Sequence, residues 1–198
     1  MYSNVWGSEV SNSIAKGNHE LKSMIYTIWA LAIVIGLVAG WIDWRSHRIP
    51  NWLTLSGCFA GIVLNTIFFH WGGLKQSLLG AVIALGILLP VVLLRGLGAG
   101  DWKLMGALGA IVGGGEILQL LVATILFAGL IAIVQILLKR RVMVTLRNMW
   151  ELIRGYFIFG LKPNAEISLD NKAASTLPFG VAAAVATVLC WGAMLAGI

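Results

Sequence analysis

Five stretches of this chain are long and apolar enough to lie in hydrocarbon: residues 24–42, 53–71, 78–94, 116–138 and 177–198. A helix needs about 20 mostly apolar residues to cross a bilayer. Within hydrocarbon only helices and closed barrels satisfy their own backbone groups. A sixth stretch, 102–112, is equally apolar but would be only about 17 Å long as a helix. The run Gly113-Gly114-Gly115 turns the chain after it, and Pro90 is expected to kink the third stretch. Composition agrees with a membrane solvent. Hydrophobic residues make up 59% of the chain and charged residues 11%, against about 25% charged in soluble domains. The expectation is an all-α membrane protein of about six transmembrane helices, the fourth short, in one domain of residues 24–198. Residues 1–23, polar and rich in Ser and Asn, read as a loosely ordered extracytoplasmic tail.

Basic residues set the orientation. With six helices, one set of loops holds Arg45, Arg48, Arg95, Lys103, Lys139, Arg140, Arg141, Arg147, Arg154, Lys162 and Lys172, and the other holds Lys16, Lys22 and Lys75. Loops rich in Lys and Arg stay in the cytoplasm, so both termini are expected outside. A basic cytoplasmic segment, 139–176, precedes the last helix; it reads as a lipid-facing amphipathic element or a contact for a partner protein. The net charge of +6 reports orientation and contact with anionic lipid, with no nucleic-acid partner. Cys58 and Cys190 form no CxxC and imply neither a disulfide nor a zinc site.

Two acids stand out against this background. Asp43 ends the first span and Asp101 begins the fourth, and the topology puts both at the cytoplasmic side of the membrane. An ionised group inside a membrane is costly and is read as functional by default. A helix as short as 102–112, started from the outer surface, leaves Asp101 at shallow depth in a water-accessible pocket. The bland readings are a helix-end Asp43 paired with Arg45 or Arg48, and an Asp101 that caps its own helix. Capping does not account for Gly96, Gly98 and Gly100 just before it. Those glycines leave room for another backbone, such as an extended peptide substrate.

Two carboxylates that share a water can hydrolyse a peptide bond, one as base and the other as acid. The helix ends suggest a division of the shared proton. A helix N-terminus favours charge on Asp101, and a helix C-terminus disfavours it on Asp43. Other chemistries fit less well, since the chain has neither HExxH nor GxSxG. Asp43, His47 and Asp101 are a thin ligand set for a metal, so no metal and no cofactor are expected. His70 and Trp71 look like an outer-interface pair.

The stretch DWRSHRIPNWLT, residues 43–54, resembles the first signature of bacterial type IV prepilin peptidases. GAGDWKL, 98–104, resembles their second, Gly-x-Gly-Asp-x-Lys, and LPFGVAA, 177–183, the start of their last helix. The likeness covers roughly residues 25–197. It implies a membrane aspartic endopeptidase of the bacterial inner membrane that cuts leaders of prepilins or pseudopilins at the cytoplasmic face. Cleavage would follow a glycine that precedes the pilin's hydrophobic helix. The catalytic pair would be Asp43 and Asp101, with Gly98, Gly100, Lys103, Ile49, Pro50, Asn51, Pro178 and Gly180 in support. Longer members carry a cytoplasmic insertion with two CxxC pairs and methylate the new pilin N-terminus. This chain resembles the short, peptidase-only type used with Flp/Tad-like pili, so methyltransferase activity is not expected.

Roles follow for the matched residues. Pro50 fixes the loop and ends the first helix. Asn51 is expected to cap the second helix. Lys103 contacts substrate, tunes the pair, or simply snorkels to the interface. Pro178 and Gly180 line the site or serve helix packing. Ile-Asp at the first acid and Leu-Pro-Phe before the last helix disfavour the presenilin and signal-peptide-peptidase kind. The remaining alternative is a small transporter or pilus-assembly scaffold whose buried acids carry protons or ions.

Overall fold

The computed structural model describes residues 3–94, 96–138 and 178–196, which form five helices and no strand. They are α1 (Ser3–Ser46), α2 (Asn51–Leu93), α3 (Ala99–Val112), α4 (Ile117–Leu138) and α5 (Phe179–Ala196). The basic segment 139–176 lies outside the described residues. Four of the helices are long and apolar enough to cross a membrane: His19–Ser46 of α1, all of α2, Ile117–Gln135 of α4, and α5.

Helix α2 is not one rod. At Phe69 (φ −120°, ψ 15°) and His70 (φ 52°, ψ −134°) the backbone leaves helical geometry, and the chain folds back into two arms, 51–68 and 71–93. The antiparallel course is read from α3, which both arms flank. Ile49, just before the first arm, meets Gly100 and Gly61 meets Ile111, while in the second arm Gly80 meets Gly109 and Leu85 meets Gly106. The turn comes earlier than the sequence suggests, so Gly72 and Gly73 belong to the second arm. Gly73 sits where a Cβ would overlap the Asn65 carbonyl, which lets the arms meet closely just after the turn. Backbone angles stay helical through Pro90. The break falls at His70 instead, and Pro90 stands about one turn from the helix end, where its missing N–H disturbs little.

Helix α3 is the buried centre of the bundle. Leu104 to Ile111 are all buried. At 14 residues it spans about 21 Å, so its C-terminal carbonyls end within the protein and need donors. The two arms of α2 supply them. Asn65 Nδ2 donates to the carbonyls of Ala110 (3.2 Å) and Ile111 (2.9 Å). Ser77 Oγ donates to Ala110 (2.5 Å). Gly113, at φ 85°, then reverses the chain, and Gly114 N–H donates to the Gln76 carbonyl (3.1 Å).

Helix α5 packs between α1 and α4. Its contact with α1 uses small residues, as close helix pairs in membranes do. A Cβ on Gly36 would touch Ala184 and Thr187, and one on Gly40 would press on Ala184 at 3.0 Å and on the Gly180 carbonyl at 3.2 Å. At its other end α1 runs unbroken from Ser3, so the segment read as a loose tail is helical. Extending an existing helix avoids the cost of nucleation, which lets a polar, mediocre helix former continue it.

The glycine contacts give a fold test within one arm. Gly80 and Gly109 touch backbone to backbone, and a Cβ on either would overlap the other's carbonyl. Gly86 has nothing within 4 Å of where its Cβ would stand. Gly80→Ala should destabilise the purified protein by about 1–3 kcal/mol or more through overpacking. Gly86→Ala should be neutral or stabilise by up to about 1 kcal/mol, since Ala suits a helix better. Unfolding in detergent, followed by circular dichroism, measures both.

Candidate active site

The buried face of α1 runs through Ala32, Ile35, Gly36, Ala39 and Gly40, at intervals of three and four residues. Continuing that face one turn gives Asp43. The acid therefore points inward with the core stripe and is only 4% exposed. A buried carboxylate needs donors, and the first turn of α5 provides one: Gly180 N–H donates to Asp43 Oδ2 at 2.7 Å. The approach requires glycine. A Cβ at 180 would stand 2.9 Å from Asp43 Cβ and 3.1 Å from Oδ2. Pro178 caps this turn, its carbonyl accepting from Val181 (3.2 Å) and Ala182 (3.4 Å).

Asp101 stands in the first turn of α3, third after the N-cap residue Gly98. Its carboxylate reaches back toward Gly98, where an added Cβ would lie 3.0 Å from Oδ2. This is the acid position of a capping box. Three contacts pin the turn. Trp102 Nε1 donates to the Leu85 carbonyl (2.8 Å). Lys103 Nζ donates to Asn51 Oδ1 (3.0 Å). Gly100 lies against Ile49, 3.4 Å from that residue's Cβ and carbonyl oxygen to an added Cβ.

Asp43 and Asp101 line one cavity of about 540 Å³. His47, Gly96, Leu97, Gly98 and Phe179 share the wall at their end. Leu88 and Val91 of α2 and Ile125, Ala128, Gly129 and Ala132 of α4 form the remainder. His47 turns the chain out of α1 in a left-handed conformation, φ 49°, with its N–H still bonded to the Asp43 carbonyl (2.8 Å).

Some expectations change in detail. Asn51 does not cap α2: the N-cap position is Pro50, without a side-chain bond, and the Asn51 side chain takes the Lys103 ammonium instead. Gly100 is not free space for a substrate, because the chain's own Ile49 occupies it. Ile49, Pro50, Asn51, Gly100, Lys103, Pro178 and Gly180 surround the cavity without lining it; Gly98 lines it. The division of the proton between the acids assumed that they sit at opposite helix ends. In the fold Asp43 stays in the last turn of α1 but also accepts from the first turn of α5, so each acid has a helix N-terminus beside it. Among the described residues no three His, Cys, Asp or Glu side chains group as metal ligands. Cys58 and Cys190 are free thiols.

The wall from α4 was not visible in the sequence. Residues 125, 128, 129 and 132 share a helical face, yet α4 is apolar on every side, and such a helix shows no periodicity to mark its inner face. The small-residue spacings Gly36/Gly40 and Gly180/Ala184 were a usable signal for the α1–α5 contact.

Neither the curated proteins nor the solved structures include a match to this chain. One family model does match, described as the type IV leader peptidase family, over residues 30–134. That range holds Asp43, the loop to Asn51, all of α2 and α3, and Asp101. With half of its length matched and both carboxylates inside the match, the chain belongs to the type IV leader peptidase family.

Proposed function

We propose that this protein is a membrane aspartic endopeptidase that removes the leader from prepilins or pseudopilins at the cytoplasmic face of a bacterial inner membrane. One observation carries the reading: Asp43 and Asp101, brought from two distant helices, share a cavity large enough for water and a peptide bond. One carboxylate takes a proton from water as the water oxygen attacks the scissile carbonyl carbon. The other, protonated, gives its proton to the carbonyl oxygen. The tetrahedral intermediate then collapses: the C–N bond breaks as the leaving nitrogen takes a proton from the carboxyl that accepted one from water, and the other carboxylate takes a proton back from one hydroxyl of the intermediate, whose oxygen becomes the new carbonyl. The reaction consumes one water and needs no cofactor.

The topology belongs to the same proposal. The two arms of α2 and the short α3 count as separate spans, which gives six crossings with both termini outside. The ends of α1 and α2 and the start of α3 then meet the cytoplasm. The peptidase acts without methylating the new N-terminus, as the lack of a CxxC-bearing insertion suggests.

Three results are expected. Asp43→Asn and Asp101→Asn, co-expressed with a candidate prepilin, should each lower leader cleavage by about 10²–10⁴-fold, as loss of a general acid or base does. Both proteins should remain in the membrane at normal levels. Unchanged cleavage in either would remove the aspartic mechanism, and a transporter or scaffold would tolerate both changes. Gly180→Ala should push the Asp43 carboxylate aside and lower kcat about tenfold or more with little change in KM, because small misplacements of a reacting group are costly. Lys103→Met and Asn51→Ala should produce the same partial loss singly as together, since they remove the same bond. Additive losses would mean that Lys103 acts elsewhere.

A further inference from the structure

The carboxylate cavity has one polar end and one apolar end. Its apolar end is walled by Leu88 and Val91 of the second α2 arm and by Ile125, Ala128, Gly129 and Ala132 of α4. Ile125 is 50% exposed and Val91 41%, so the same residues that face the cavity also reach the outer surface. The cavity therefore opens sideways between these helices. No atom lies within 4 Å of a Cβ placed on Gly129, so the α4 face there is bare.

Depth can be read from the turn that joins α3 to α4. Asp101 lies twelve residues before Gly113, or about 18 Å along α3. Ile125 and Ala132 lie about 13 and 24 Å along α4 from Glu116 at the same rise. The α4 face thus brackets the carboxylate: Ile125 lies about 5 Å toward the middle of the membrane and Ala132 about 6 Å toward the cytoplasm. The opposite flank is closed, because Gly40 and Ala184 touch where α1 meets α5. Outside that contact lies a second apolar groove, lined by Trp41, Trp44, Val181 and Val185 among others. It includes neither carboxylate.

We propose that the gap between the second arm of α2 and α4 is the membrane-side entrance to the site, and that it seats the apolar helix following the scissile bond of the substrate. This rests on the leader-peptidase reading. A segment entering from hydrocarbon must satisfy its own backbone, so it arrives as a helix. Ala128 and Gly129, level with Asp101, let the first turn of a second helix approach closely. The first residues of that helix then lie at the level of Asp101, with the leader passing toward the cytoplasmic end.

The test uses a designed single-span preprotein: a polar leader ending in glycine, then about 20 apolar residues with one cysteine in the first turn. The enzyme carries Asp101→Asn to hold the substrate, Cys58→Ala and Cys190→Ala, and one new cysteine at a time. Oxidative cross-linking should join the preprotein to Ile125→Cys and Val91→Cys, and not to Trp41→Cys or Leu126→Cys. Cross-links at Trp41→Cys, equal yields at Leu126→Cys, or none at Ile125→Cys would overturn the entrance. In the otherwise unaltered enzyme, Gly129→Leu should slow cleavage at least about tenfold by displacing the helix. Leu126→Trp, on the outer face, should stay within about twofold. Equal effects of these two changes would also overturn it. Failure of the peptidase reading looks different: the unaltered enzyme leaves the preprotein uncut, wherever the cross-links fall.

Discussion

A single hydrogen bond, from Gly180 N–H to the Asp43 carboxylate, sets the terms for much of this structure. The two residues are 137 positions apart, and the bond requires α1 and α5 to approach almost backbone to backbone. That is why Gly36, Gly40 and Ala39 lie on one helix and Gly180, Ala184 and Ala183 on the other. Larger side chains along this seam would lift Gly180 off Asp43 and leave a buried acid without its donor, at a cost of about 1–3 kcal/mol or more. The same bond brings Phe179 to the cavity wall and fixes the angle at which the last helix leaves it. The site and the packing of α1 on α5 therefore cannot be varied separately.

The second constraint is backbone satisfaction at α3. A helix of this length cannot bring both of its ends to water at the two membrane faces, so the protein must supply donors to its C-terminal carbonyls. Asn65 and Ser77 do so from the two arms of α2. The first turn of α3 is tied in turn by Trp102 to Leu85 and by Lys103 to Asn51. Thus α2, folded back at His70, holds α3 at both ends and sets how far Asp101 lies from the end of α1. Side chains remote from the carboxylates thus set where Asp101 stands.

How much of this the sequence reveals depends on the kind of signal. Apolar length and charge are one-dimensional, so the helical class was legible, and so were two acids at helix ends that the fold brings to one cavity. The fold-back in α2 was legible as an interruption near His70, but not its position. A histidine in a left-handed conformation takes the turn, and the neighbouring glycines, which look like turn residues, serve close packing instead. Nothing local marks the donors Asn65, within an apolar run, and Ser77, between two of them, because their acceptors lie 46 and 33 positions away. The polar N-terminal segment misleads in the opposite direction: weak local propensity says little where a strong neighbouring helix extends through it.

The glycines before Asp101 show why spacing alone misjudges a site. They suggest a clear path for a substrate backbone, yet two of them serve the enzyme's own atoms. Gly98 leaves room for the Asp101 carboxylate to turn back over the helix start, and Gly100 receives the Ile49 backbone. The loop that follows Asp43 and the turn that carries Asp101 are therefore one packed unit, cross-tied by Lys103 and Asn51. Each acid is anchored partly by the segment belonging to the other: Asp101 by the loop leaving α1, and that loop by the turn of α3. Two signatures some fifty residues apart describe a single piece of structure. A movement that changes the spacing of the acids must therefore shift the loop and the turn together, or break the contact at Gly100 and the Lys103–Asn51 bond.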